Sequence, residues 1–256
     1  MSSISCKPWG DIFKIKMNAT AYNSLGIYTL AEAAHLVSVP SRSINKWLYG
    51  YDYSKKTADV TTQKHVNPLW SPQYDAAEWG EKVIGFRDLL ELRVVREFIQ
   101  HGVPALVIRK CFETARTIFN DPYPMTALRF ATDGKTIFSE AVKSKDIQEM
   151  IDLHKRQYVF GHIIKPSLYD GIEYDERHAK RWYPEGKKRD IVIDPERQFG
   201  KPILTEAGVP TAAIYASFKT EGADRAAATM AGRIFEIPTK QVEAAIRFEE
   251  RLRKVA

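Results

Sequence analysis

Arg42, Ser43, Asn45 and Lys46 crowd one side of a short stretch whose other side carries Ile44, Trp47 and Leu48. These are the side chains that read base edges: arginine matches the paired acceptors of guanine, asparagine the acceptor and donor of adenine, each pair discriminating by about 1–3 kcal/mol. The hydroxyls of Ser41 and Ser43 suit phosphate oxygens instead, as do Lys55, Lys56 and Lys64 further on. A merely solvated helix face has the same polarity. The reading leans to DNA because a capped helix precedes the stretch and only a small-residue turn separates the two. Arg42, Asn45 and Lys46 are expected near bases, with Ser41, Ser43, Lys55 and Lys56 near phosphate.

Other chemistry has little support. His35, His101, His154, His162 and His178 are scattered, with no metal-ligand spacing among them. The two cysteines, Cys6 and Cys111, suggest neither a disulfide framework nor a zinc site. There is no phosphate-cradling glycine loop and no nucleophile elbow. No catalytic residue, metal or cofactor is therefore expected, and the chain reads as a binding protein.

A second cationic set lies toward the end: Lys180, Arg181, Lys187, Lys188, Arg189, Arg247, Arg251 and Arg253. The spacing of four puts Arg247 and Arg251 on one helix face. Such cations could face an acidic protein partner. Equally, they could be solvated, pair with Glu243, Glu249 and Glu250, or touch DNA phosphate.

The elements that must position these residues follow from pattern. Thr29 with Glu32 three residues on reads as a capping box opening a helix through Leu30, Ala33, Ala34 and Val37. Ser38 to Ser41 breaks it, and the Ile44, Trp47, Leu48 stripe forms the second helix; so brief a turn matches helix-turn-helix geometry. Residues 50–84 have no helical period and read as a wing, an irregular hairpin or extended loop braced by its aromatics. Residues 86–100 form a helix with Phe86, Leu89, Leu90, Val94, Val95, Phe98 and Ile99 inward. Pro104 opens the next, with Ile108, Cys111, Phe112, Ala115, Ile118 and Phe119 inward. Asp133-Gly134 predicts a hairpin over 128–138. A short helix is expected over 144–157, then a charged connecting region with short strands near Ile172 and 179–182. Ile191-Val-Ile193 is a strand stopped by Pro195, and helices are predicted over 211–219, 224–232 and 239–253.

The whole chain has 256 residues, 44% hydrophobic and 27% charged, enough for more than one core. Its +6 net charge sits at the ends: Lys and Arg against Asp and Glu number 7 to 4 over 1–60, 15 to 17 over 61–176 and 16 to 11 over 177–256. That balance favours a polyanionic partner. No apolar run is long enough to span a bilayer, and the first residues lack a secretory pattern, so the cytoplasm is expected and no membrane partner.

Two stretches carry a family resemblance. Tyr28-Thr-Leu-Ala-Glu-Ala-Ala34, the run from Val39 to Trp47, Phe86-Arg-Asp-Leu89, Leu92-Arg93, Gly102-Val-Pro and Ile108-Arg109 resemble the winged helix-turn-helix of MerR-type regulators. Ile193-Asp-Pro195, Phe199-Gly-Lys-Pro202, Gly208-Val-Pro-Thr211, Phe235-Glu-Ile-Pro238 and Val242-Glu-Ala-Ala-Ile246-Arg-Phe248 are similar to a small helical domain of VapB-type antitoxins. Many such relatives carry Gly-Thr-Arg before the proline of the third motif; here Glu206-Ala-Gly-Val209 stands there.

The resemblances imply a mainly α fold with small β elements: a tail over 1–24, a winged helix-turn-helix over 25–125, a hairpin and connecting region over 126–190, and a three-helix domain over 191–256. They imply an antitoxin that binds double-stranded operator DNA, represses its own operon and neutralises a PIN-like ribonuclease toxin. Its toxin-facing residues would be Lys187, Lys188, Arg189, Arg247 and Arg251. The second reading is a MerR-like regulator answering to a small ligand. A homodimer is expected, because one recognition helix covers too few base pairs for regulatory specificity.

Overall fold

The computed structural model describes residues 26–57, 60–127, 130, 134, 136–138, 141, 169–176 and 178–254. The fold is mainly α-helical with small antiparallel sheets. Strand β1 (Ile27–Thr29) leads into α1 (Leu30–Val37), and the expected capping box is formed. The Thr29 hydroxyl accepts the Glu32 N–H at 3.1 Å while the Glu32 carboxylate accepts the Thr29 N–H at 2.8 Å. Ser38, in the left-handed region at φ 56°, ends α1. Helix α2 (Ser41–Tyr49) follows at once and buries Ile44 and Leu48.

The stretch read as a wing is a regular hairpin, β2 (Tyr51–Thr57) against β3 (Val60–Val66). Its aromatics divide: Trp70 and Tyr74 are buried, whereas Tyr51 and Tyr53 stand exposed on the hairpin. A short helix, α3 (Ala76–Trp79), and β4 (Val83–Gly85) come next; β4 pairs with β1 and closes the unit.

Helices α4 (Phe86–Gln100) and α5 (Ala105–Phe119) make the largest contributions to the first core. Trp70 stacks on Phe112 with ring centroids 5.0 Å apart, and its indole N–H donates to Asp88 at 2.8 Å. Two inward assignments fail at helix ends: Ile99 is 38% and Ile118 49% exposed, because the last turn of each helix runs past the core, and Val107 is buried instead. The hairpin expected over 128–138 lies mostly outside the described residues. Those described, Phe130, Gly134 and 136–138, are helical, so the expected strands are not found among them. The helix expected over 144–157 also lies outside them.

The chain then forms one four-stranded antiparallel sheet: β5 (Ile172–Asp175), β6 (His178–Trp182), β7 (Ile191–Ile193) and β8 (Pro202–Leu204). The sheet joins the two sides of position 190, where the sequence suggested a boundary. Trp182 and Ile193 belong to the first core, while Ile191 and Leu204 belong to the second. Ile191 and Ile193, two positions apart, share one face of β7, so the two cores meet side by side along that face, while Val192 on the other face packs with Tyr183 and Ile203. The second core is built by α6 (Thr211–Thr220), α7 (Arg225–Ile234) and α8 (Thr239–Lys254). Leu36 of α1 packs against both cores.

Candidate nucleic-acid interface

With Ile44 and Leu48 buried, the periodicity of α2 turns Arg42 fully outward and leaves Ser41, Ser43, Asn45 and Lys46 half-buried at its flanks. The Ser41 hydroxyl donates to the Leu30 carbonyl at 3.3 Å, tying the start of α2 to α1. No side chain caps the α2 N-terminus. Its first N–H groups and the positive end of its dipole are thus oriented toward anything that approaches Ser41 and Arg42.

The hairpin continues this surface. Period-two alternation and the register place Tyr51, Tyr53, Lys55, Lys64 and Thr62 on one face and Asp52, Ser54, Lys56, His65, Gln63 and Thr61 on the other. The first face adjoins α2: Lys46 Nζ lies 4.9 Å from the Tyr51 ring centroid, and the Tyr51 and Tyr53 rings are 6.2 Å apart. Lys55 and Lys56 are exposed. On the far face Asp52 meets His65 at 2.7 Å. A hairpin exposed on both faces has little apolar burial of its own and depends on its base for order.

That base is well held. Gly50 joins α2 to β2 at φ +71°, where a Cβ would sit 2.4 Å from the Val66 carbonyl oxygen. Arg109 of α5 donates to the Pro68 carbonyl at 2.7 Å and the Asn67 carbonyl at 2.6 Å, and Leu69 N–H donates to Trp47 O at 2.7 Å. Asp88 accepts from Trp70, Gln73 and Gly85. Burial outweighs those hydrogen bonds and lifts its pKa to about 6.

Lys82 is a contributor that the sequence reading missed. Its ammonium donates to Asn45 Oδ1 at 2.8 Å and sits 4.8 Å from the Tyr49 ring centroid. It is thirty-seven residues from Asn45, so no local pattern could have linked them. The Asn45 carbonyl is occupied in the free protein, and its amide donors remain for an acceptor.

The cations of the C-terminal third are not brought into one cluster. Lys187 and Lys188 fall in a 3-10 turn, Gly186–Lys188; Lys188 and Arg189 are exposed, with Arg189 stacked 4.8 Å from the Tyr183 ring centroid. Arg247 is exposed, with Glu243 3.8 Å away. Arg251 pairs with Glu185 at 3.1 Å, Arg253 with Glu249 at 2.5 Å, and Arg181 with the buried Asp194 at 2.7 Å. The first of these ties α8 to the segment after β6, the second lies within α8, and the third ties β6 to the end of β7. Among the described residues no group of histidine, cysteine, aspartate and glutamate is placed to hold a metal.

This architecture has counterparts. The chain is 27% identical over 197 residues, 73% of its own length and 80% of the other's, to a Mycobacterium tuberculosis protein provisionally named antitoxin VapB45. Its fold resembles the crystal structure of Rv2018 from Mycobacterium tuberculosis, with a TM-score of 0.54, 16% identity, and coverage of 86% of this chain and 96% of that one. No protein-family model matches the chain. Among the described residues no helix is long and apolar enough to cross a membrane.

Proposed function

We propose that the chain is a DNA-binding antitoxin of a type II toxin-antitoxin system. Its α2 helix enters the major groove of operator DNA, and the β2–β3 hairpin follows the backbone beside it. The observation that carries this reading is the continuity of the surface: Arg42, Asn45 and Lys46 on a helix with an open N-terminus, joined through Gly50 to a hairpin that holds Lys55 and Lys56 in solvent. The likeness to a provisionally named VapB antitoxin supports the toxin half. In this reading a PIN-like ribonuclease is the partner, its acidic mouth facing Lys187, Lys188, Arg189, Arg247 and Arg251. The protein works in the cytoplasm as a MerR-like, autorepressing homodimer without catalysis of its own. Gel shifts on the DNA upstream of its own reading frame test the first half. Arg42→Ala is expected to weaken binding and relax base choice, and Lys46→Ala to weaken it; wild-type behaviour of both variants would move the DNA surface elsewhere.

The second reading, a regulator that answers to a small ligand, draws on the cavities where the N-terminal unit meets α8.

A further inference from the structure

Between α1, α4, the segment after β6 and the end of α8 lies a cavity of about 310 Å³. Its charged lining among the described residues is Arg93 and Arg96 from α4 and Arg251 from α8. Two aromatic walls fix the guanidinium planes. Arg93 lies 5.4 Å from the Trp182 ring centroid and Arg251 5.2 Å from that of Phe248.

The three arginines differ in what already satisfies them. Arg96 donates to the Val37 carbonyl at 2.9 Å and pairs with Glu97. Arg251 has Glu185 at 3.1 Å. Arg93 has no carboxylate within ion-pairing distance among the described residues, Glu97 acting on it only from further off: one Nη is buried without a partner, and the other reaches only the Asp170 carbonyl at 3.5 Å. Loss of water and the like charge of Arg96 push its pKa down to about 10.

A guanidinium kept from water beside a second cation, with a hydrogen-bonding edge unfilled, is costly unless an anion arrives. We propose that this cavity binds the phosphate group of a small phosphomonoester-class anion, with Arg93 as its anchor and Arg96 and Arg251 completing the grip. Arg93 brings the unpaired charge, Arg96 and Arg251 would exchange part of their pairing with Glu97 and Glu185 for phosphate oxygens, and charge-assisted bonds to phosphate are among the stronger hydrogen bonds. The walls come from α1 and α4 on one side and α8 on the other, so the bound anion braces the joint between the two cores. The site stands whether or not the C-terminal helices bind a toxin.

A DNA backbone phosphate presents the same oxygens, and the experiment separates the two sources. Thermal unfolding of the full chain in about 10 mM phosphate, against chloride at equal ionic strength, should raise Tm by about 3–5 °C for a millimolar site. Arg93→Gln should remove the rise, and Lys188→Gln, at an exposed site outside the cavity, should keep it. Arg251→Gln should diminish it and serves as the second variant if Arg93→Gln folds poorly. Calorimetric titration with inorganic phosphate and with adenosine monophosphate, both without DNA, should show binding. Gel shifts should give Arg93→Gln the DNA affinity of the wild type. No phosphate-specific rise, an equal rise in Arg93→Gln, or a loss of DNA binding in that variant without any small-anion binding would each overturn the proposal.

Discussion

The Tyr28 hydroxyl donates to the Gly200 carbonyl at 2.8 Å, a buried hydrogen bond that ties β1 to the turn before β8 across 172 positions of sequence. Gly200 lies at φ +76°, and a Cβ there would stand 2.4 Å from the Tyr28 oxygen and 2.8 Å from the Gly26 Cα. The glycine of the Phe199-Gly-Lys-Pro motif is thus the point where the backbone of the second core comes up against the first. Gly200→Ala is expected to cost more than about 2 kcal/mol, from strain and overpacking together. Tyr28→Phe, which orphans one carbonyl, should cost about 1–2 kcal/mol. Urea denaturation checks both; a Gly200→Ala midpoint equal to the wild type would mean that the two cores are not held in this contact.

Gly50 sets the wing as Gly200 sets the joint. Alanine at φ +71° against the Val66 carbonyl must push the base of the hairpin off α2. Under the DNA-binding reading, Gly50→Ala should raise the operator Kd by about tenfold or more, the equivalent of about 1.4 kcal/mol. Lys55→Gln and Lys56→Gln should each lower the slope of log K against log salt by about 0.9 wherever the lysine meets a phosphate. An unchanged slope in the double variant would take the hairpin out of the interface.

Glu91 predicts how stability depends on pH. Its carboxylate is fully buried; one oxygen accepts from the Thr126 N–H at 3.1 Å and hydroxyl at 2.9 Å, and the other has no partner. Burial pushes its pKa from 4.5 up to about 8, and Asp88 is lifted in the same sense to about 6. Between pH 4.5 and about 8 the folded chain therefore keeps a proton that the unfolded chain has lost, and stability falls as pH rises through that window. Glu91→Gln keeps the acceptor and removes the titration. It should gain on the order of 1–2 kcal/mol at pH 8 and flatten the profile, whereas a profile as steep as the wild type's would place the titration elsewhere.

How much of this was legible in the sequence depended on distance along the chain. The capping box at Thr29 and Glu32, the stripe of Ile44 and Leu48, and α4 and α5 with their proline and glycine punctuation are local, and they stand where the pattern placed them. The three-residue strands β1 and β4 were not read, because each is too short to show alternation and is stable only through the other. The sheet across position 190 was missed for a related reason. Ile191 and Ile193 read as one buried strand, but nothing local says that they serve different cores. Within the candidate site, Arg42 and Asn45 were visible from helical period, while Lys82 and Arg109 act from other elements and became visible only when the chain folded.

The shared sheet also decides how a toxin contact should be sought. Removing residues 191–256 strips β7 from β6, takes Ile193 out of the first core and leaves the Tyr28 hydroxyl without Gly200. Loss of rescue by such a truncation would therefore report misfolding as readily as a lost interface. Charge reversal on exposed residues outside the sheet pairings avoids this, giving up the stacking of Arg189 on Tyr183. Lys188, Arg189 and Arg247 are exposed, and the Glu243 contact of Arg247, at 3.8 Å between exposed partners, is worth less than about 1 kcal/mol. Arg251 is a poorer choice, since reversing it would set a second carboxylate against Glu185. The triple variant Lys188→Glu, Arg189→Glu and Arg247→Glu should keep an unfolding midpoint near that of the wild type and keep operator binding. Under the antitoxin reading, co-expression of this variant with the PIN-like partner nuclease should fail to restore growth, because the three cations proposed to face an acidic mouth become three anions. Growth restored as fully as by the wild type would place the toxin contact away from the turn at Gly186–Lys188 and the outer face of α8.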